Sequence, residues 1–205
     1  MKNCCVILLA LLSMNVSWGK SVAPEKYLSK VSEIASQLIL TRTSGVANYS
    51  VRLVPGAVKV IHLYKNKRIT AQQAGEMLEE SKTRYDFILS IEIPANGGRE
   101  FMAYDNGKDA YDAKVKYYSF GFSEHIRFEN STKQWQKVMA YNFERDFGLS
   151  PKGTMLFSVP KSALGKDLKI EIHDQIFGTE AIHFDFDLKI LQKLPKLKTV
   201  EKWNQ

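Results

Sequence analysis

The apolar residues of this chain change their spacing once, near Tyr85, and that change constrains the fold more than any other feature. Before it, Tyr27, Leu28, Val31, Ile34, Ala35, Leu38 and Ile39 recur at helical spacing. Pro24 precedes them, at a first-turn position where a missing N–H costs nothing. Ser44-Gly45 reads as the end of that helix. The stretch from Val58 to Tyr64 fits either a β-branched strand or a short helix opened by Pro55-Gly56 and closed at Asn66. Thr70 and Gln73 form a Thr-x-x-Gln capping box, and the helix it opens buries Ala74, Met77 and Leu78.

After Arg84 the period becomes two. Phe87, Leu89, Ile91 and Ile93 alternate with Ile88, Ser90 and Glu92 until Pro94 and Asn96-Gly97-Gly98 break the run. Further strands are expected at Phe101 to Tyr104, along Tyr118, Phe120 and Phe122, and at Ile126 to Phe128. Val138 to Phe143, Thr154 to Val159, Leu168 to Ile172 and Ala181 to Leu188 complete the set. The fold class is therefore α+β: N-terminal helices packed on an antiparallel β-sandwich or open barrel of about eight strands. The chain divides into a leader at 1–19, a helical N-terminal portion at 20–84, an antiparallel β domain at 85–191 and a basic C-terminal tail at 192–205.

The leader has the order of a secretory signal. Met1-Lys2-Asn3 supplies charge, Cys4 to Val16 an apolar run, and Ser17-Trp18-Gly19 a small-residue cut site. The run is shorter than the about 20 residues needed to span a bilayer. A retained anchor is the alternative to cleavage. Both cysteines, Cys4 and Cys5, lie in this leader, at the beginning of its apolar run, where a lipid-carrying cysteine is not expected. The remainder has no thiol, so thiol catalysis is excluded and core packing must hold the fold without disulfides. An exported bacterial chain, in the periplasm or at the cell surface, is the expected setting. Composition is that of a globular domain, with 44% hydrophobic and 25% charged residues. A net charge of +7 suits contact with an anionic surface, and nucleic acid is not an expected partner.

The chain lacks a phosphate-binding glycine loop, a Gly-x-Ser-x-Gly elbow and a His-Glu-x-x-His motif. One constellation carries metal-ligand types. If Leu168 to Ile172 and Ala181 to Leu188 pair as a hairpin, His173 and His183 approach across the ladder with Asp185 on the same face. The competing reading is the solvated face of a half-buried sheet, and no cofactor is expected. Carboxylate pairs of the type glycosidases use are Asp109/Asp112, Glu144/Asp146 and Asp185/Asp187. Aromatics concentrate at Tyr117, Tyr118, Phe120, Phe122, Trp135, Tyr141, Phe143 and Phe147, which suits a core or, where exposed, a glycan surface.

The tail places Lys193, Lys196, Lys198, Lys202 and Trp203 beside Leu191, Leu194, Leu197 and Val200. Such a stretch can lie on an anionic membrane. It can equally be a terminal strand followed by a solvated tail, since Pro195 interrupts any helix.

Lys67-Arg68-Ile69-Thr70, Tyr85-Asp86-Phe87-Ile88-Leu89, Tyr117-Tyr118-Ser119-Phe120 and the run from Tyr141-Asn142-Phe143 to Gly148-Leu149-Ser150-Pro151 resemble uncharacterised exported proteins of Bacteroidetes-type bacteria. The resemblance implies location and no activity. The expected function is an exported, non-catalytic binding or structural module of the cell envelope that contacts a protein or a glycan. The alternatives are an envelope-polymer hydrolase using carboxylates or a histidine-bound metal, and a membrane-surface protein docked through its Lys-rich tail.

Overall fold

Alternation of apolar side chains builds two sheets, and their apolar faces meet. The computed structural model describes residues 21–105, 108–145, 150–165 and 167–203; the expected leader lies outside them. Nine strands are found among the described residues. Strands β1 (Ile39–Ser44), β2 (Ala47–Val54), β3 (Arg84–Glu92), β7 (Lys152–Pro160) and β6 (Ala140–Glu144) form one antiparallel sheet in the order β1-β2-β3-β7-β6. Strands β5 (Trp135–Lys137), β4 (Ile126–Glu129), β8 (Leu168–Ile172) and β9 (Ile182–Phe186) form the second.

Tyr49, Val51, Leu53, Phe87, Leu89, Ile91, Met155 and Phe157 project from the larger sheet. Ile126, Phe128, Ile170, Ile172, Phe184 and Phe186 project from the smaller one into the same core. Phe87 stacks on Phe157 at 5.0 Å between ring centres and meets Phe186 of the opposing sheet at 5.4 Å. The α+β sandwich expected from the sequence is the fold.

The region 20–84 is not purely helical. Helix α1 (Pro24–Glu33) stops early, and Ile39 to Val54 is a β-hairpin. Helical spacing through Leu38 and Ile39 merged two elements, because a short turn at Ala35–Leu38 carries the apolar face into β1. Gly45, read as a helix end, makes the hairpin turn at φ +58; a Cβ there would lie 2.0 Å from the Phe177 carbonyl oxygen. Helices α2 (Gly56–Lys65) and α3 (Ala71–Ser81) follow, so Val58 to Tyr64 is helical. The Thr70/Gln73 capping box is present, with Gln73 N donating to Thr70 Oγ1 at 3.2 Å and Thr70 N to Gln73 Oε1 at 2.8 Å.

Two stretches read as strands are helical turns. Phe101–Ala103 is a short 3-10 turn, and α4 (Lys108–Lys116) runs into a π-helical turn at Tyr117–Gly121. Tyr118 and Phe122, four residues apart, are both fully buried, whereas Phe120 is 80% exposed. That is helical facing; a strand would put Phe120 on the same side as its neighbours.

A second core joins Tyr27, Val60, Ile61, Ala74, Val200 and Trp203. The C-terminal stretch is therefore a packed strap and not a free tail. Val22 N donates to Lys196 O and Lys198 N to Val22 O, both at 2.9 Å, so the two ends of the described chain bridge each other.

Gly153 shows how closely the layers meet. A Cβ at this position would lie 2.3 Å from Phe101 Cε1. Gly153→Ala is expected to destabilise by about 1–3 kcal/mol, as overpacked cores do. Urea unfolding measures this, and adding Phe101→Leu should return part of the loss. An undiminished loss in the double variant would assign the defect elsewhere.

Candidate functional site

The outer face of the smaller sheet carries the expected metal-ligand types. The register pairs Glu171 with His183 and Lys169 with Asp185. His183 Nε2 lies 4.0 Å from Glu171 Oε2, and its ring is 5.8 Å from the exposed Trp135 ring. His173 sits beyond the end of β8, where its N–H donates to His125 O at 3.0 Å and its ring meets that of His125 at 6.3 Å. Burial, and then the neighbouring His173, lower the pKa of His125. The cross-strand partner of His183 is thus Glu171 rather than His173. Among the described residues, no group of three or more His, Cys, Asp or Glu is placed to hold a metal ion.

The carboxylate candidates are dispersed. Glu144 is exposed on β6 of the larger sheet, while Asp185 is exposed on the smaller one. Asp187 accepts from Lys189 N at 3.0 Å and caps the turn that follows. Asp112 is exposed; Asp146, the Asp109 side chain and Phe147 lie outside the described residues.

One buried polar group belongs to no sequence motif. Asp174, in the loop between β8 and β9, has no exposed surface. Its Oδ2 accepts from Tyr49 Oη at 2.8 Å and from Tyr118 Oη at 2.7 Å, and its Oδ1 accepts from Ile176 N at 2.9 Å. Around this node, Tyr117 Oη accepts from Gln175 N at 3.1 Å, and Tyr141 Oη donates to Tyr118 O at 2.6 Å. Burial above all, and then the Asp174 charge, hold the Tyr49 and Tyr118 phenols far above their ordinary pKa. Burial pushes Tyr117 up to about 12. These phenols remain donors and do not act as bases near neutral pH. With Asp174, Tyr49 and Tyr118 all at 0% exposure, the node is closed to substrate. A signal was available: Asp174 continues the inward parity of Leu168, Ile170 and Ile172.

Tyr118→Phe removes a hydrogen bond to a charged group and is expected to cost about 1.5–3 kcal/mol. Tyr117→Phe leaves the carboxylate satisfied and is expected to cost about 0.5–1.5 kcal/mol. Equal losses in thermal or urea unfolding would show that Asp174 does not organise the node.

The outer face of the larger sheet offers a different surface. Register places Arg52, Ile88, Leu156 and Asn142 in one row across β2, β3, β7 and β6. Val54, Asp86, Ser158 and Ala140 form the next. The half-buried Val54, Ile88 and Leu156 floor a groove of about 430 Å³ that Lys59 of α2, Asn142 and Glu144 border. Ser158 Oγ donates to Asp86 Oδ1 at 2.6 Å, and Arg84 Nε donates to the same oxygen at 3.0 Å. Lys59 and Glu144 have no ion-pair partner among the described residues. An apolar floor with a polar rim of both signs is the usual make-up of a binding cleft.

The tail residues are individually constrained. Trp203 is 7% exposed, donates from Nε1 to Lys198 O at 2.8 Å and meets the Tyr64 ring edge-on at 5.3 Å. Lys193 Nζ donates to Gln37 Oε1 at 3.4 Å, and Lys196 and Lys198 bond to Val22 through their backbones. Lys202 is exposed. While the strap is packed, the Trp203 ring is not free to enter a membrane. No described helix is long and apolar enough to cross one.

The fold defines an α+β sandwich protein with a helical cap. No protein-family model matches the chain, and no curated protein does. A solved structure with partial similarity is a DUF4426 family protein from Pseudomonas aeruginosa PAO1. It is 8% identical, with a TM-score of 0.35, over 73% of this chain and 92% of that one.

Proposed function

We propose that this chain is an exported, non-catalytic binding module of the bacterial cell envelope, and that it takes an extended segment of an envelope protein in the groove of the larger sheet. The observation that carries this reading is the outward cluster of apolar side chains, Val54, Ile88 and Leu156, from two adjacent register rows, bordered by Lys59 and Glu144. A solvated sheet face normally alternates apolar-in with polar-out. Three apolar residues on the outer face break that rule, and they lie on the successive strands β2, β3 and β7, with β7 beside β6, which ends the sheet order. A polypeptide segment supplies what the groove lacks: apolar side chains for the floor and charges of both signs for the rim. A glycan is less well matched, because the aromatic residues of the groove lining, Phe87, Phe157 and Tyr141, share one register row of core-facing parity. The dispersal of Glu144, His173, His183 and Asp185 over two sheets supports a non-catalytic role.

The export reading rests on the order of charge, apolar run and small residues in 1–19, with the resemblance to exported Bacteroidetes-type proteins as its companion. Protein recovered from the producing cell should begin at Lys20. A photo-crosslinking residue at Asn142 should then capture one envelope protein, whereas the same residue at Asp185 should not. The captured protein, once purified, should bind the wild-type chain and lose at least tenfold in affinity for Leu156→Glu. Equal capture from both positions, or unchanged affinity in the variant, would end this reading.

A further inference from the structure

The helical end of the molecule holds a second pocket, which shares no lining residue with the groove. It encloses about 470 Å³ between the start of α1, the α2–α3 connection and the C-terminal strap. Its cations are Lys65, Lys67 and Arg68, and its one acid is Glu25. Lys65 Nζ already meets Glu25 Oε1 at 2.7 Å. Lys67 and Arg68 have no side-chain hydrogen bond or ion pair among the described residues. Tyr64 and Trp203 provide an apolar wall.

The local backbone explains how two free cations come to adjoin. Helix α2 ends with Lys67 in the left-handed region, at φ +53, and Arg68 N donates back to Leu63 O at 2.9 Å. This is the usual way a helix closes, but the residue favoured there is glycine. The Thr70/Gln73 box already occupies two amide groups at the start of α3, so the charge of the pocket comes from side chains.

We propose that this pocket binds a phosphomonoester, carried either on a lipid headgroup or on a soluble ligand. The uncompensated charge is two, from Lys67 and Arg68, and a phosphomonoester brings about −1.5 to −2 near neutral pH. A carboxylate would neutralise only one of them. The guanidinium of Arg68 offers the forked donor geometry that phosphate oxygens accept, with Lys67 as a point charge beside it. The rings of Tyr64 and Trp203 lie where the body of the ligand would rest. The Trp203 that the sequence suggested as a membrane anchor becomes a wall of this pocket.

Phenyl phosphate is the soluble probe, and phosphatidylcholine vesicles containing phosphatidic acid are the lipid probe. Two variants test the site. Arg68→Gln removes the fork. Lys67→Gly removes a charge at a backbone position that suits glycine, so the fold should be at least as stable. Calorimetric titration of the full exported chain should show phenyl phosphate binding, weakened at least tenfold in each variant. Lys189→Ala, elsewhere on the surface, should leave it unchanged. Flotation with phosphatidic acid vesicles that is lost in the same variants assigns a lipid headgroup. Phenyl phosphate binding without flotation assigns a soluble ligand, and both results support the site. Failure of the wild-type chain to bind phenyl phosphate would overturn the proposal, as would undiminished binding by Lys67→Gly and Arg68→Gln. Neither result bears on crosslinking at Asn142.

Discussion

The carboxylate of Asp174 is the group on which the rest of the structure depends. A charged side chain with no exposed surface is tolerable only when its lone pairs are met. Here the donors come from three places: Tyr49 on the larger sheet, Tyr118 on the π-helical turn and Ile176 in the loop of Asp174 itself. Satisfying one carboxylate therefore fixes the β8–β9 loop against both the sheet and the helical insertion. Aromatic packing follows the same centre, since Tyr118 stacks on Phe177 and tilts against Phe101. A buried cation, Lys114, reinforces it. Lys114, held by Tyr104 O at 2.5 Å, lies 5.2 Å from the centre of the Phe177 ring, and burial lowers its pKa.

The same loop receives the hairpin turn of β1 and β2. Ser44 Oγ accepts from Thr179 N at 3.1 Å, and Val46 N donates to Phe177 O at 3.3 Å. The close approach at Gly45 leaves no room for a side chain. One end of the sandwich is thus locked by polar contacts. The other end is held by apolar packing of α1, α2, α3 and the C-terminal strap. In a chain whose two cysteines are the adjacent Cys4 and Cys5, these two cores and the buried polar node hold the described residues without covalent staples.

This division leaves two surfaces free of structural duty. The outer face of the larger sheet retains apolar residues that the core does not use, and the α2–α3 connection retains cations, Lys67 and Arg68, that pair with no acid among the described residues. The outer face of the smaller sheet differs, because its charges meet one another: Glu129 lies near both Lys133 and Lys169, and His183 near Glu171. Charge period alone does not separate these cases. The separation depends on which opposite charge the sheet register brings alongside.

Local signals in the sequence determined a good deal. The period-two runs at Phe87 to Ile93, Thr154 to Val159 and Leu168 to Ile172 became β3, β7 and β8, and Thr70 with Gln73 capped α3. Those features depend on neighbours two to four residues away, which the chain order specifies directly. Tertiary structure decided what long-range contacts supply. Ile39 to Val54 is a hairpin because β3 pairs with it. Tyr118 and Phe122 turn inward on a helical arc because Asp174, distant in sequence, offers one phenol an acceptor. His183 faces Glu171 rather than His173 because register fixes cross-strand partners. The tail is a strap because Val22 and the second core receive it. Sequence spacing carries the facing of each element, but the partner on that face exists only once the chain has closed on itself.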